Sequence, residues 1–367
     1  MTATLKNDLN HPSYKLLQKF IQISKNLVYL FYFREIEKKS YLFQYFGLFF
    51  LSVLSPLSSA SALEEVTFQL DWLPGGDKAP IYVGIEKGYF KDVGIDVKIA
   101  SGRGSTDAIT KLSVGKSDIG SVGLGAVLLA KAQHNVPVTA IYSMFTKPPH
   151  AFLTTKDKGI ATVSDLKRKK VATSPFTSSN VFLPLILERN GLTIDDIVLI
   201  KADPGALGPM LAMGRVDAII EWVTNSPRHR PHLAKMKKEM VTIPWAEAGM
   251  EIYATSLVAS DRFIQEKPEL AKRFLAAFVK SMTYTREHHR EAAEIVNRFV
   301  AEVPVDVAEL SIGHFTRLSK NAITEAEGEG VFNSERLIET WRWVSRAQDV
   351  PFESFDPEKA VNRDFVQ

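Results

Sequence analysis

Apolar and polar residues alternate over 66–71 (Val-Thr-Phe-Gln-Leu-Asp), the mark of a strand with one buried face. Pro80 follows where a helix can begin, and Ile81, Tyr82 and Ile85 recur at helical spacing up to Gly88. Alternation returns with Ile95, Val97 and Ile99. Gly102-Arg103-Gly104-Ser105 then leads into a helix over 106–114, with Ser105 set as its N-cap and Gly115 as its end. A strand over 118–122, a turn over 123–125, a helix over 126–132 and a strand over 136–144 complete this first set. The same grammar restarts after Thr155. It predicts a strand over 170–173, a Ser/Thr-rich loop over 174–179, a helix over 180–190, a strand over 197–201, a helix over 206–213 and a strand over 215–221 running into Trp222. Strands alternating with helices through short turns predict an α/β fold with largely parallel sheets.

A further β-rich piece, 251–259, precedes four stretches of helical periodicity at 268–287, 288–302, 306–318 and 334–347. This tail has no strands of its own, so its apolar faces must pack on something already built, and the first α/β unit is the expected support. The organisation is therefore two α/β lobes, 63–154 plus 253–367 and 155–252, joined by two strand-like crossings near 150–155 and 251–256. Two crossings make a hinge, and the cleft between the lobes becomes the expected binding site.

Composition changes this picture in two places. The 367 residues include no cysteine, which removes disulfide frameworks, zinc ribbons, thiol nucleophiles and lipid attachment to an N-terminal cysteine. The formal charge of +3 is carried by the first 62 residues, which hold seven Lys/Arg against three acids; the rest has 38 basic and 39 acidic residues. A concentrated basic face of the kind nucleic acid requires is therefore not indicated. Residues 1–62 read as a leader: Arg34, Lys38 and Lys39 precede an apolar run over 46–54, Pro56 breaks it, and Ala60-Ser61-Ala62 offers a small-residue cleavage site. The run is short for a membrane span, which needs about 20 residues; an uncleaved anchor is the alternative. The leader predicts a periplasmic protein without a lipid anchor.

In α/β sheets, ligands gather beyond the carboxyl ends of the strands, where helix N-termini also point. Residues expected there are Asp71, Trp72, Arg103, Gly104, Ser105, Gly123 and Leu124 in the first lobe, and Ser174, Thr177, Ser178, Glu221 and Trp222 in the second. The Gly and Ser/Thr loops supply backbone N–H groups and hydroxyls, although ordinary N-capping would also use them. Asp71-Trp72 and Glu221-Trp222 form the sharper pair. An indole beside a carboxylate suits a planar ring bearing N–H donors or positive charge; otherwise each acid pairs with a local Lys or Arg and each indole fills core. Two carboxylates disfavour a purely anionic ligand, though Arg103 could hold a phosphate or carboxylate group. His229 and His232 fit a solvated polar helix better than a metal site, since no third ligand is evident. No dinucleotide fingerprint, phosphate loop or nucleophile elbow is present.

The run DWLPGGDKAPIYVGIEKGYFKDVGIDVKI over 71–99, VGKSDIGSVGLGAVLLAKAQHNVPVTAI over 114–141 and GRVDAIIEW over 214–222 carry a family resemblance. The chain resembles the solute-binding proteins of nitrate/sulfonate/taurine-type ABC importers, which share a domain with fungal thiamine-pyrimidine synthases. That resemblance implies a type II periplasmic-binding-protein fold and a monomer that closes on a small solute and passes it to an inner-membrane permease and its ATPase. It implies no cofactor, metal or catalysis. Within the group, Asp71-Trp72 is similar to members that carry aminopyrimidine thiamine precursors; sulfonate, taurine or nitrate binders are the alternative. A synthase would need a lysine and a histidine around 118–125 and a cysteine-rich stretch, and this chain has none of these; it also has Lys78 where the synthases have a histidine.

Overall fold

The computed structural model describes residues 19–23 and 62–366, so the leader expected over 1–62 lies almost wholly outside the described residues. Met1–Ser61 and Ala62–Gln367 are separate units; of the first, residues 19–23 are helical and exposed. No helix among the described residues is long and apolar enough to cross a membrane.

The second unit holds two five-stranded sheets. The first half-lobe runs β1 (Glu64–Gln69), α1 (Ala79–Glu86), α2 (Tyr89–Asp92), β2 (Ile95–Ala100), α3 (Ser105–Ser113), β3 (Ile119–Gly123), α4 (Leu124–His134) and β4 (Val138–Ser143). The chain then builds the second sheet from β5 (His150–Thr155), β6 (Lys170–Thr173), α5 (Ser179–Arg189), β7 (Val198–Lys201), α6 (Pro204–Ala212), β8 (Ala218–Trp222), α7 (Ser226–Lys235) and β9 (Met240–Pro244). It returns through β10 (Thr255–Ser260) and the helical tail: α8 (Asp261–Glu266), α9 (Pro268–Glu287), α10 (His289–Phe299), α11 (Val305–Ser319), α12 (Ala322–Glu327) and α13 (Ser334–Ala347).

Strand order is β2-β1-β3-β10-β4 in one sheet and β7-β6-β8-β5-β9 in the other. The three strands on one side of each sheet are parallel, as the alternation with helices requires. The returning strand is antiparallel: β10 between β3 and β4, and β5 between β8 and β9. Four strands of each sheet therefore run in one direction, largely parallel as expected, and the fifth makes the sheet mixed because it enters from the opposite end.

The crossings differ from expectation. His150–Thr155 is an inner strand of the second sheet, fully buried, and so belongs with the second lobe from its first residue. The connections are 144–149 and 245–254, which run side by side: the Met144 and Phe145 N–H groups both donate to Thr255 O, and the Ala254 N–H donates to Phe145 O. Val223 N–H and Trp245 N–H tie the second lobe to the same segment through Pro149 O and His150 O.

The tail departs from expectation at its end. Helices α9 and α10 cover α1 of the first lobe, α11 packs on α10 and on the turn over 76–78, and Phe274 and Phe278 stack on Phe68. Helix α13 instead packs on α5 of the second lobe as well as on α4 of the first. Arg189 lies over the Trp343 ring, Glu188 pairs with Arg346, and Gln348 donates to Val181 O. The tail therefore touches both lobes on the hinge side.

Candidate functional site

One narrow cleft is lined by Asp71, Trp72, Gly104 and Ser105 from the first lobe and Thr177, Glu221, Trp222 and Asn225 from the second. Each of these positions follows from the strand ends. Asp71 and Trp72 lie just past β1, Gly104 and Ser105 open α3 after β2, Thr177 precedes α5 after β6, and Glu221-Trp222 ends β8. The two indoles cross over. Trp72 of the first lobe packs with the apolar cluster of the second, among Leu153, Leu207 and Leu211, while Trp222 joins the first lobe's cluster with Phe145 and Ala254. Both are 6 % exposed, each with its ring held in the apolar packing of the opposite side.

The first-lobe carboxylate is committed to a charge partner. Lys78 Nζ stands 2.5 Å from Asp71 Oδ1 and 3.0 Å from Asp77 Oδ2, and all three side chains are buried. Burial alone would push the Lys78 ammonium down, but the two carboxylates outweigh it and hold the group above its ordinary value. Ser121 Oγ also donates to Asp71 Oδ1 at 2.8 Å, and the ammonium lies 5.4 Å from the centre of the Trp222 ring. Asp77 Oδ1 is buried without a hydrogen-bond partner. The second-lobe carboxylate has no lysine or arginine. Asn225 Nδ2 donates to Glu221 Oε2 at 2.9 Å, and His229 Nε2 stands 3.4 Å from Glu221 Oε1 without completing a hydrogen bond.

Ser105 does not cap its helix. It is the first helical residue after Gly104, and its Oγ accepts from Gly123 N–H at 3.0 Å, tying β3 to α3. Gly123 is the last residue of β3 and Leu124 begins α4 at once, so no turn separates them; Leu124 is core and donates its N–H to Ala254 O. Ser178 Oγ is buried without a partner, and a side chain at Gly123 would meet it at 2.6 Å. Ser174 donates to Arg103 O at 3.1 Å and Thr106 N–H to Phe176 O at 3.1 Å, which joins the lobes beside the cleft. Gly104, with φ of +150°, makes that contact possible, since a Cβ there would fall 2.1 Å from Phe176 O. On the other side Arg228 donates to Pro74 O, and Thr224 approaches Asp77 at 3.5 Å.

Of the expected residues, Arg103, Gly123, Leu124, Ser174 and Ser178 do not line the cleft, and Arg103 turns away from it altogether. Its side chain is 56 % exposed, lies over the Phe176 ring and approaches Asp107, in a separate surface hollow with Pro175 and Lys201. The two glycines on either side let the backbone approach Leu70 O and Phe176 O closely, while the Arg103 side chain between them points out. Lys78, Asp77, Ser121, Asn225 and His229 were missed from the sequence. The spacing of Asp71 and Lys78 across the short loop before Pro80 was the available signal; His229, expected on a solvated helix, is buried on α7 facing Glu221. Among the described residues no group of three metal-ligating side chains comes together.

Comparison with known proteins agrees with this architecture. The NMT1/THI5-like family model matches residues 76–292. A 4-amino-5-hydroxymethyl-2-methylpyrimidine phosphate synthase of Aspergillus parasiticus is 26% identical over 276 residues, covering 70% of this chain and 78% of that protein. A solved structure from Bordetella bronchiseptica RB50 superposes with a TM-score of 0.68 at 22% identity, covering 83% of this chain and 96% of that one. The alkanesulfonate-binding protein SsuA of Xanthomonas axonopodis pv. citri, bound to MOPS, gives 0.65 at 16% identity, over 82% and 98%. The fold is that of periplasmic binding proteins, and with more than half its length matched by the family model, this chain belongs to the NMT1/THI5-like family.

Proposed function

We propose that this chain is the solute-binding component of an ABC importer, and that it captures a small planar ligand bearing N–H donors, of the aminopyrimidine type, by closing its two lobes. Facing carboxylates carry the reading: Asp71 and Glu221 line one cleft from opposite lobes, each followed in sequence by an indole. With Asp77 behind Asp71, three carboxylates stand against one ammonium, that of Lys78. Such a wall favours a ligand that donates hydrogen bonds or carries positive charge. The lining is narrow and mostly buried, so a ligand enters only as the two sides part, and a flat single ring asks for the smallest opening. Micromolar capture requires about 8 kcal/mol net. A ring between indoles and a few charge-assisted hydrogen bonds are enough in a site that excludes water.

The relatives named as pyrimidine phosphate synthases support this ligand class by their product. The alkanesulfonate-binding neighbours favour an anion instead, but that reading requires a cation in the cleft beyond Lys78, and Arg103 is outside it. An enzyme reading through pyridoxal phosphate does not fit this lysine. Lys78 is held protonated between two carboxylates, whereas condensation with an aldehyde needs a free amine. We therefore assign binding without bond-making, outside the cytoplasm, by a monomer that delivers its solute to a permease and ATPase.

Calorimetric titration of the purified chain with 4-amino-5-hydroxymethyl-2-methylpyrimidine, taurine, an alkanesulfonate and nitrate tests the reading. Saturable micromolar binding of the aminopyrimidine alone is expected. Tight binding of a sulfonate or nitrate with none of the aminopyrimidine overturns it.

A further inference from the structure

We propose that His150 is a positioning residue: through Ser179 it fixes the direction of the Thr177 hydroxyl, so that the cleft prefers an amino group over a carbonyl oxygen on its ligand. The inference rests on the donor-bearing ligand proposed above and names the device that selects it.

The three residues form a buried chain leading into the cleft. His150 Nδ1 is 2.8 Å from Ser179 Oγ, and the Thr177 hydroxyl donates to the same Ser179 Oγ at 3.3 Å. Ser179 N–H in turn donates to Thr177 Oγ1 at 3.4 Å. Thr177 lines the cleft, while His150 and Ser179 lie behind it at 2 % and 0 % exposure, where water cannot stand in for a missing partner. The imidazole is boxed by Phe182, Trp222 and Trp245 at 5.5, 5.8 and 5.5 Å between ring centres. Burial depresses its pKa to about 3, so the ring is neutral and has one donor and one acceptor nitrogen.

Proton direction follows from the order of partners. Thr177 Oγ1 already accepts an N–H, which polarises its hydroxyl toward donation. Giving that proton to Ser179 Oγ sends the Ser179 proton on to His150 Nδ1, which accepts it. The ring proton then sits on Nε2 within the aromatic box, and the Thr177 oxygen is left with a lone pair and no proton to offer the cleft. It joins Asp71 and Glu221 as a third acceptor on the cleft wall. A ligand N–H meets all three; a ligand carbonyl at the Thr177 position meets only repulsion between lone pairs. Removing the imidazole frees the Ser179 proton to turn toward Thr177, and the Thr177 proton can then turn to the cleft.

The test compares affinities for 4-amino-5-hydroxymethyl-2-methylpyrimidine and its 4-oxo counterpart in wild type, Ser179→Ala, His150→Phe and the double variant. An unfolding midpoint is read on each sample. Wild type should prefer the amino compound at least tenfold. Each single variant should narrow that ratio at least threefold, and the double variant no further than either single, because one chain is cut in both. Thr177→Val, which removes the terminal hydroxyl without touching the aromatic box, should narrow it likewise and serves if His150→Phe does not fold. A wild-type preference that persists unchanged in Ser179→Ala and Thr177→Val overturns the positioning role alone. Failure of wild type to bind either compound overturns the ligand reading, and this role with it.

Discussion

The two walls of the cleft hold their carboxylates in different ways. In the first lobe Asp71 is locked onto the Lys78 ammonium, with Asp77 on its other side, in a cluster almost without exposure. In the second lobe Glu221 is held by a neutral amide, Asn225, with His229 nearby but short of a hydrogen bond. A carboxylate compensated by a buried cation has little field left for a ligand, and its partner cannot be removed without exposing the pair's desolvation cost. A carboxylate held by an amide keeps its charge available. For the ligand proposed above, both carboxylates shape the cleft, and the second wall, with its uncompensated charge, is expected to supply the larger share of the affinity.

Lys78→Met breaks this comparison most severely. It leaves Asp71 and Asp77 buried without a counter-charge and should destabilise the chain by about 3–5 kcal/mol in denaturant unfolding; a loss below about 1 kcal/mol would mean that water already solvates the cluster.

Next in size is a pH effect in the second wall. His150 has its pKa lowered to about 3 by burial, below its unfolded value, so the unfolded chain binds the extra proton as the medium becomes acid. Its contribution is complete above about pH 7.5 and declines as pH falls toward 3, with about 1.6 kcal/mol lost between pH 6.5 and pH 5. The difference in stability between wild type and His150→Phe should shift by that amount across the same interval. A difference independent of pH would show that the ring is hydrated or protonated in the folded chain.

Glu221→Gln keeps shape and the Asn225 contact but removes the charge. Affinity for the aminopyrimidine should fall tenfold or more while stability changes little. Asp71→Asn should show the reverse balance, and equal losses of affinity in both would erase the distinction between the walls. Smallest of all, Arg103→Ala should alter affinity less than twofold, since its side chain is over half exposed and outside the cleft.

Much of this fold was legible in the pattern of residues. Alternation located β1, β2 and β6, and helical periodicity located α9 and α13 with the ends the structure gives them. Strand β9 was not: Met240–Pro244 is a five-residue edge strand, half exposed, with a single polar residue, so no alternation marks it. Strand β5 was read as a crossing because its side chains are buried on both faces, which erases the period of two. The residues around the cleft were legible where they sit at strand ends, as Asp71 and Glu221 do. They were not where a side chain reaches the cleft from a loop or a neighbouring helix. Lys78 and His229 reach the cleft's carboxylates from behind in this way, and only tertiary packing turns them inward. Arg103 failed for the opposite reason, a sound strand-end position with a backbone that faces its side chain outward.

Lobe closure on a donor-bearing ligand is the central claim, and the absence of cysteine makes it directly measurable. Val114→Cys beyond α3 and Met213→Cys beyond α6 are exposed sites on opposite lobes that accept spin labels without competing thiols. Saturating 4-amino-5-hydroxymethyl-2-methylpyrimidine should shift the distance between the labels and narrow its distribution, whereas an alkanesulfonate should leave it unchanged. A distribution that ignores the aminopyrimidine at saturation, or responds only to the sulfonate, would contradict the account.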